Sequence, residues 1–367
     1  MINDERADSP DTPVDPWELY CPVPPAELPH GADYDCVAAD WLRRFELRDH
    51  AWLDAMERAR PLELLATACP AGIPDRLQMV GDFWLWAYAL DDAYFDSGTL
   101  TGDPGGACIM VWPLMCAVEP APAHAAEANG WETGLRDVRD RIAGCGSPAQ
   151  TDRWAAATRG MLFSFAFEAA IVQRGRHLGL REYLAHRMES CGAKLFVLLI
   201  DFIHGYELPT AVLADNTVRA MTEAACVILG IDNDLFSYGR EQVLEAGATL
   251  NSIDVVAAEF QLSTEQALVK TVEIRNRIMG SFLELSALVH QRGNADLAHY
   301  SRNLGQWIRA NIDWSVSTRR YRDHTPDSGS HLSVLGAPCL SIGVHPHRDG
   351  PQPATWWWNH LTQPAHR

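Results

Sequence analysis

Between residue 33 and about residue 324, apolar side chains recur at intervals of three and four, Ala and Leu are frequent, and alternating apolar and polar runs are almost missing. That rhythm fits helices and supplies no set of strands for a sheet, so an all-α single domain is predicted. Breaks at 70–74, 97–106, 144–148, 205–209, 247–249 and Gly293 divide it into roughly nine to eleven helices without an internal repeat. Residues 31–325 are assigned to this helical bundle. Residues 1–30 are a Pro-rich arm ending in LYCPVPPAELP, which cannot form regular structure alone and has Trp17, Leu19 and Tyr20 as its anchors. Beyond 325 the composition turns to Gly, Pro, Ser and His, through GVHPHRDGPQP to Trp356, Trp357 and Trp358. Residues 326–367 are expected to be a mostly disordered tail. His345 and His347 lie there without Cys or carboxylate partners at ligand spacing, so no metal site is read from them.

The 367 residues, 47 % of them hydrophobic, suffice for a large core. A formal charge of −18 disfavours nucleic acid and anionic membranes, which need a basic footprint. An anionic substrate would need metal ions and a few placed arginines to reverse the local field. The nine cysteines are odd in number and lack a CxxC, which predicts reduced thiols. The N-terminal MINDERADSPDTPVDP has no cationic segment followed by an apolar run, and no stretch reaches eighteen uninterrupted apolar residues. A cytoplasmic protein without stable membrane association is expected, with a homodimer as the candidate assembly.

Two acidic strings sit inside otherwise apolar helical sequence: DDAYFD, holding Asp91, Asp92 and Asp96, and NDLFSYGRE, holding Asn233, Ser237, Arg240 and Glu241. Asp91 and Asp92 close GDFWLWAYAL, and Ser97, Gly98 and Gly102 stop the helix soon afterwards. Carboxylates at a helix C-terminus meet the negative end of the dipole and repel each other, a cost that bound cations would offset. At about 100° per residue, Asp92 and Asp96 share a face, and Asp91 lies on the side of Trp84, Ala87 and Tyr88. Asn233, Ser237 and Glu241 follow one another at four-residue steps, so an amide, a hydroxyl and a carboxylate line one helix face. Hard oxygen ligands in that pattern suit Mg(II) shared with phosphate, and Arg240 is placed to reach the same phosphate. Gly230, just before them, is a point where the backbone could loosen. Taken singly, each string also fits a solvated polar face.

The strings resemble the DDxxxD and NDxxSxx(K/R)E motifs of bacterial class I terpene synthases. Arg187 in YLAHRMESCG resembles that family's diphosphate-sensing arginine, with Ser190 at the linker position and the Cys191 carbonyl at the effector position. Arg320 and Tyr321 in WSVSTRRYRDH resemble its late arginine-tyrosine pair. LYCPVPP, YLAHR and GYELP are similar to the branch containing 2-methylisoborneol synthases. The long extension beyond Tyr321 and the Cys at the effector position depart from the usual pattern. The resemblance implies an all-α bundle of the class I terpenoid synthase type with its active-site cavity in the bundle centre. It also implies a Mg-dependent cyclase, with three Mg ions or Mn in their place, that ionises a linear prenyl diphosphate and releases diphosphate. Asp91, Asp92, Asp96, Asn233, Ser237 and Glu241 would be the metal ligands, and Arg187, Arg240, Arg320 and Tyr321 would bind diphosphate.

A hydrocarbon cation needs apolar walls with π faces, for which Trp84, Tyr88, Phe163, Phe167, Trp307 and Trp314 are candidates. Ala87 stands where the family often has a bulky aromatic, which tilts the expected substrate toward geranylgeranyl diphosphate. Farnesyl diphosphate and geranyl or 2-methylgeranyl diphosphate are the alternatives. Chain-elongating prenyltransferases are disfavoured because the second motif carries Asn, Ser and Glu in place of aspartates. From another class, a non-catalytic homologue that only binds prenyl diphosphate is the remaining alternative.

Overall fold

In a computed structural model of the chain, residues 18–27, 34–96, 98–120, 129–244, 250–322 and 341–343 are described. Apart from two short strands, their regular structure is helical. The first helices are α1 (Tyr34–Arg44), α2 (His50–Ala59), α3 (Pro61–Ala68), α4 (Pro74–Tyr94), α5 (Pro104–Ala117), α6 (Gly130–Cys145), α7 (Pro148–Arg174) and α8 (Leu180–Ser190). They are followed by α9 (Ala193–Val197), α10 (Ile200–His204), α11 (Thr210–Leu213), α12 (Asn216–Leu244), α13 (Ser252–Phe260), α14 (Thr264–His290), α15 (Ala295–Ser317) and α16 (Arg319–Arg322).

Local chemistry sets the boundaries. Pro74 and Pro148 open α4 and α7 at first-turn positions where the missing N–H has no helical partner anyway. Ser147 with Gln150, and Ser263 with Gln266, form reciprocal capping boxes on α7 and α14. Gly175 ends α7 in the left-handed conformation. Every residue from Val80 to Ala87 is buried, so α4 is covered on all sides instead of lying on the surface. Its buried Asp82 is held by Arg141 at 2.7 Å and Gln78 at 2.8 Å. α12 is the second central helix, packed on α8, α9, α13, α14 and α15. Among the described helices, α7 is long and apolar enough to cross a membrane, and 56 % of that stretch is buried within the bundle.

The N-terminal arm departs from expectation. Glu18–Tyr20 form a strand, β1, paired in parallel with β2 (Ser341–Gly343) so that Leu19 faces Ile342 in register. β1 is anchored by side chains of α14. Asn276 accepts from the Tyr20 N–H at 2.8 Å and donates to the Glu18 carbonyl at 2.7 Å, while Arg275 donates to the Tyr20 carbonyl. Arg275 is itself fully buried and paired with Asp232 of α12, Nε to Oδ1 2.7 Å. A segment too short to satisfy its own backbone thus borrows partners from a distant helix. Trp17 of the arm, and the expected tail apart from residues 341–343, with His345, His347 and Trp356–358, lie outside the described residues.

Candidate active site

A cavity of about 140 Å³ opens in the bundle centre between α4, α7, α12 and α15, with the α8–α9 junction on one wall. Its deep end is aromatic. Trp84 stacks on Phe196 at 4.5 Å and on Trp307 at 5.4 Å, the two indoles lying within 6° of parallel. Seven residues of α4 separate Trp84 from Asp91, roughly 10 Å at the helical rise, so the aromatic floor and the acidic mouth stand at opposite ends of one chamber.

At the mouth the aspartate string divides. α4 stops at Tyr94, and the N–H groups of Phe95 and Asp96 both bond back to the Asp91 carbonyl, at 2.9 and 3.1 Å. Asp96, just past the helix end, faces Arg240 together with Asp92, at 3.5 and 3.6 Å, and also lines the cavity beside Asp91. Asp92 does not line the cavity and is held by Arg320 through two hydrogen bonds, 2.8 and 3.0 Å, and by Trp52 Nε1 at 2.9 Å. Its expected place among the metal ligands is therefore taken by a partnership with Arg320. Burial pushes the Asp92 carboxyl up, but the Arg320 and Arg240 charges outweigh it and hold the group well below the usual carboxylate range. Asp91 goes the other way: burial first, then the Asp96 and Asp92 charges, raise it well above that range. Asp96 is likewise raised, by burial and then by Asp92. The Asp91 carboxylate makes no hydrogen bond or ion pair among the described residues.

Across the cavity, Asn233, Ser237 and Glu241 line up on α12 as their spacing predicts. Ser237 donates to Glu241 Oε1, and Asn251 donates to Oε2 at 2.9 Å. Burial, followed by the Asp234 charge, pushes the Glu241 carboxyl up to about 7. Asn233 donates to the Tyr321 hydroxyl at 2.9 Å and accepts from Arg187 Nη2 at 2.5 Å. Arg187 also places Nε 2.8 Å from Asp234, which in turn accepts from Tyr183 at 2.6 Å. Gly230 has a different part from the loosening expected of it: α12 is unbroken there, and a Cβ would lie 2.8 Å from Arg187 Cγ, so the glycine lets α8 approach. α8 ends at Ser190, and Gly192, at φ 70°, turns the chain into α9 with Cys191 on the cavity wall. Arg240 lies 3.5 Å from Asp96 and 3.6 Å from Asp92, and the Arg320 guanidinium sits over the Tyr88 ring at 4.9 Å.

Residues 82–280 match the family described as terpene synthase family 2, C-terminal metal binding. The chain belongs to the bacterial class I terpene synthases. It is 33 % identical over 350 residues to (+)-(1(10)E,4E,6S,7R)-germacradien-6-ol synthase of Streptomyces pratensis, covering 94 % of this chain and 96 % of that one. The crystal structure of SVS_A2, a protein from ancestral sequence reconstruction, superposes with a TM-score of 0.76 at 26 % identity, covering 94 % of this chain and 98 % of its own. The 2-methylisoborneol synthase of Streptomyces coelicolor A3(2), solved with Mg²⁺ and 2-fluoroneryl diphosphate, shares the fold with a TM-score of 0.73 at 22 % identity, covering 84 % and 98 %. This terpene synthase is a lyase, a terpene cyclase that acts on a small-molecule substrate with a divalent metal cofactor.

The donors present suit such a metal. Among the described residues no three His, Cys, Asp or Glu side chains are grouped to hold an ion by themselves. The oxygen ligands instead stand as two sets facing one cavity, Asp91 and Asp96 on one side, Asn233, Ser237 and Glu241 on the other. An incomplete set on each side, all oxygen, fits a hard cation that shares phosphate oxygens and keeps waters. Asp91, raised and without a hydrogen-bond or ion-pair partner among the described residues, is a candidate ligand position.

Of the aromatic candidates, Trp84, Tyr88 and Trp307 line the cavity of the terpene synthase, as does Ala87. Phe163 does not: it is 62 % exposed. Met161, Phe165 and Glu168 are the α7 residues on the cavity side, and Phe163 lies about 200° around the helix from Met161 and Phe165. Phe167 packs at a 55° tilt against His186 and does not line the chamber, and Trp314 packs edge-on against Tyr321 with its Nε1 bonded to the Ala59 carbonyl at 2.9 Å. Sequence reasoning missed Phe165, Phe196, Glu168 and Asn311 on the cavity wall, and Asp234 and Asn251 behind it. Asp234 had a legible signal, lying between two ligand positions of the second string.

Proposed function

We propose that the protein cyclises a long linear prenyl diphosphate, with geranylgeranyl diphosphate the favoured substrate, using three Mg ions. The observation that carries this is the polarity of the chamber: oxygen ligands and arginines converge at the mouth, and stacked aromatic rings close the opposite end. Asp91 and Asp96 on one side, with Asn233, Ser237 and Glu241 on the other, would hold the metal. When bound, the metal supplies Lewis-acid stabilisation of the departing diphosphate. Arg187, Arg240, Arg320 and Tyr321 donate charge-assisted hydrogen bonds to the diphosphate oxygens as negative charge builds on them. Arg187 now lies on Asn233 Oδ1, so it must give up that contact when the amide oxygen serves as a ligand. Ser190 and Cys191, beside Arg187 at the α8 terminus, would transmit that movement to the substrate, a reading supported by the Arg187 hydrogen bond to Ser190. Trp84, Tyr88 and Trp307 hold the chain folded and offer π faces to the cation while excluding water.

Ala87, one turn below Asp91, leaves the upper chamber open and favours the twenty-carbon chain. Farnesyl diphosphate is the second reading, favoured by the Trp84, Phe196 and Trp307 stack that closes the chamber about two turns below Asp91. Incubation with geranyl, farnesyl and geranylgeranyl diphosphate separately, with Mg, decides between them by gas chromatography and mass spectrometry of the products. The proposal fails if geranylgeranyl diphosphate is not turned over.

A further inference from the structure

Asn311 is an uncharged polar group on the cavity wall that the diphosphate clasp does not use. It stands on α15 one turn after Trp307, roughly 6 Å along the helix toward the mouth. It is only 8 % exposed, lines the chamber, and makes no hydrogen bond among the described residues, its Nδ2 being fully enclosed. Other buried asparagines are satisfied: Asn303 on the same helix donates to the His299 carbonyl at 3.0 Å, and Asn251 to Glu241 at 2.9 Å. Leaving a buried amide without a partner is costly, and Leu at this position would avoid the cost. Nδ2 has no accessible surface to take a guest, whereas Oδ1 also lacks a partner and is not enclosed, so on a residue lining the chamber the partner of Oδ1 must come from the chamber's contents. A prenyl chain offers no hydrogen-bonding group away from its diphosphate, and the diphosphate is clasped at the mouth. Water is what remains, and a water site needs about 10–15 Å³, on the order of a tenth of the 140 Å³ present.

We propose that Asn311 holds one water molecule inside the chamber and that this water captures the last carbocation of the cyclisation, so that the product is a terpene alcohol. A water donating one hydrogen to Asn311 Oδ1 turns a lone pair toward the apolar space. That lone pair forms the new C–O bond at the electron-deficient carbon, and the extra proton passes to the diphosphate released in the first step. No oxidant or reductant is required. The amide is uncharged throughout, so it places the water without trapping the cation as a carboxylate would.

This inference rests on the cyclase reading of the same chamber, and the test separates the two. The full-length protein is incubated with Mg and either farnesyl or geranylgeranyl diphosphate in H₂¹⁸O, and products are measured per diphosphate released. The expected product is an alcohol two mass units heavier than in ordinary water. Asn311→Leu should shift the ratio of hydrocarbon to alcohol by about tenfold, the scale of one lost hydrogen bond to water, and Asn311→Gln should restore part of the alcohol. Asn311→Ser, which removes the amide with less bulk, should show the same loss should the Leu variant fail to fold. Hydrocarbons alone from the unaltered protein, or labelled alcohol undiminished in the Leu and Ser variants, would overturn the proposal. No diphosphate release from either substrate would instead count against the cyclase reading.

Discussion

Arg320 and Asp92 meet through two hydrogen bonds of 2.8 and 3.0 Å across 228 residues of sequence, each with a side chain only 9 % exposed. The pair joins the C-terminal end of the bundle to the aspartate string and orients the guanidinium at the cavity rim. Removing one partner of a buried pair leaves an uncompensated charge, which costs about 3–5 kcal/mol. Asp92→Ala should therefore lower the thermal midpoint of the metal-free protein markedly. Asp91→Ala removes an unpaired, mutually repelled carboxylate and should leave the midpoint unchanged or raised while diphosphate release is lost. Differential scanning calorimetry of both variants checks this, and the reverse order of stabilities would contradict the division of labour between the two aspartates.

The raised Glu241 carboxyl makes metal binding pH-dependent. Its ordinary value is 4.5 and its value in the fold is about 7, so the folded metal-free protein favours the protonated form. The stability this group contributes is present below 4.5 and is lost as pH rises through about 7. Asp91 and Asp96 are raised as well and act in the same direction. Metal needs the ionised form, so the Mg concentration giving half-maximal rate should fall as pH rises toward about 7 and level off above it. Titration of activity with Mg at several pH values measures this, with Glu241→Gln as the control that weakens binding at all of them. A Mg requirement indifferent to pH would count against it.

Gly230 predicts a purely steric effect. A methyl group there would stand 2.8 Å from Arg187 Cγ, too close for any ordinary contact, so Gly230→Ala must push the arginine or its helix away. The expected outcome is a folded protein, by circular dichroism, whose kcat falls by about tenfold or more because the donor is misplaced by a fraction of an ångström. Unchanged kcat would show that Arg187 is not needed where it stands.

Chain-length selection should respond at Ala87. Ala87→Phe fills the space one turn below Asp91 and should lower kcat/KM for geranylgeranyl diphosphate more than for farnesyl diphosphate, by about tenfold in the ratio. Competition between the two substrates in one reaction reads that ratio directly. An unchanged ratio would place the length control elsewhere, with the Trp84 and Trp307 stack the next position to alter.

Much of the site was legible because its residues repeat at helical spacing. Asn233, Ser237 and Glu241 had to share a face once the segment was helical, and the helix stop after Asp92 followed from Ser97, Gly98 and Gly102. Periodicity gives which residues lie together but not which way the face points, and for that reason Phe163 was misplaced and Phe165 missed. Spacing also gave Asp92 and Asp96 a common side, where both face Arg240, but not that Asp96, past the end of α4 at Tyr94, would line the cavity while Asp92 would not. β1 was invisible because what satisfies its backbone, Asn276 and Arg275, lies more than 250 residues further along the chain.

The most direct test measures released diphosphate and cyclic product together, from geranylgeranyl and farnesyl diphosphate, with and without Mg, for the unaltered protein and Asn233→Ala. Both products should appear in step, only with Mg, and both should be lost in the variant. Binding of prenyl diphosphate without Mg and without turnover, or turnover that survives Asn233→Ala undiminished, would contradict the account.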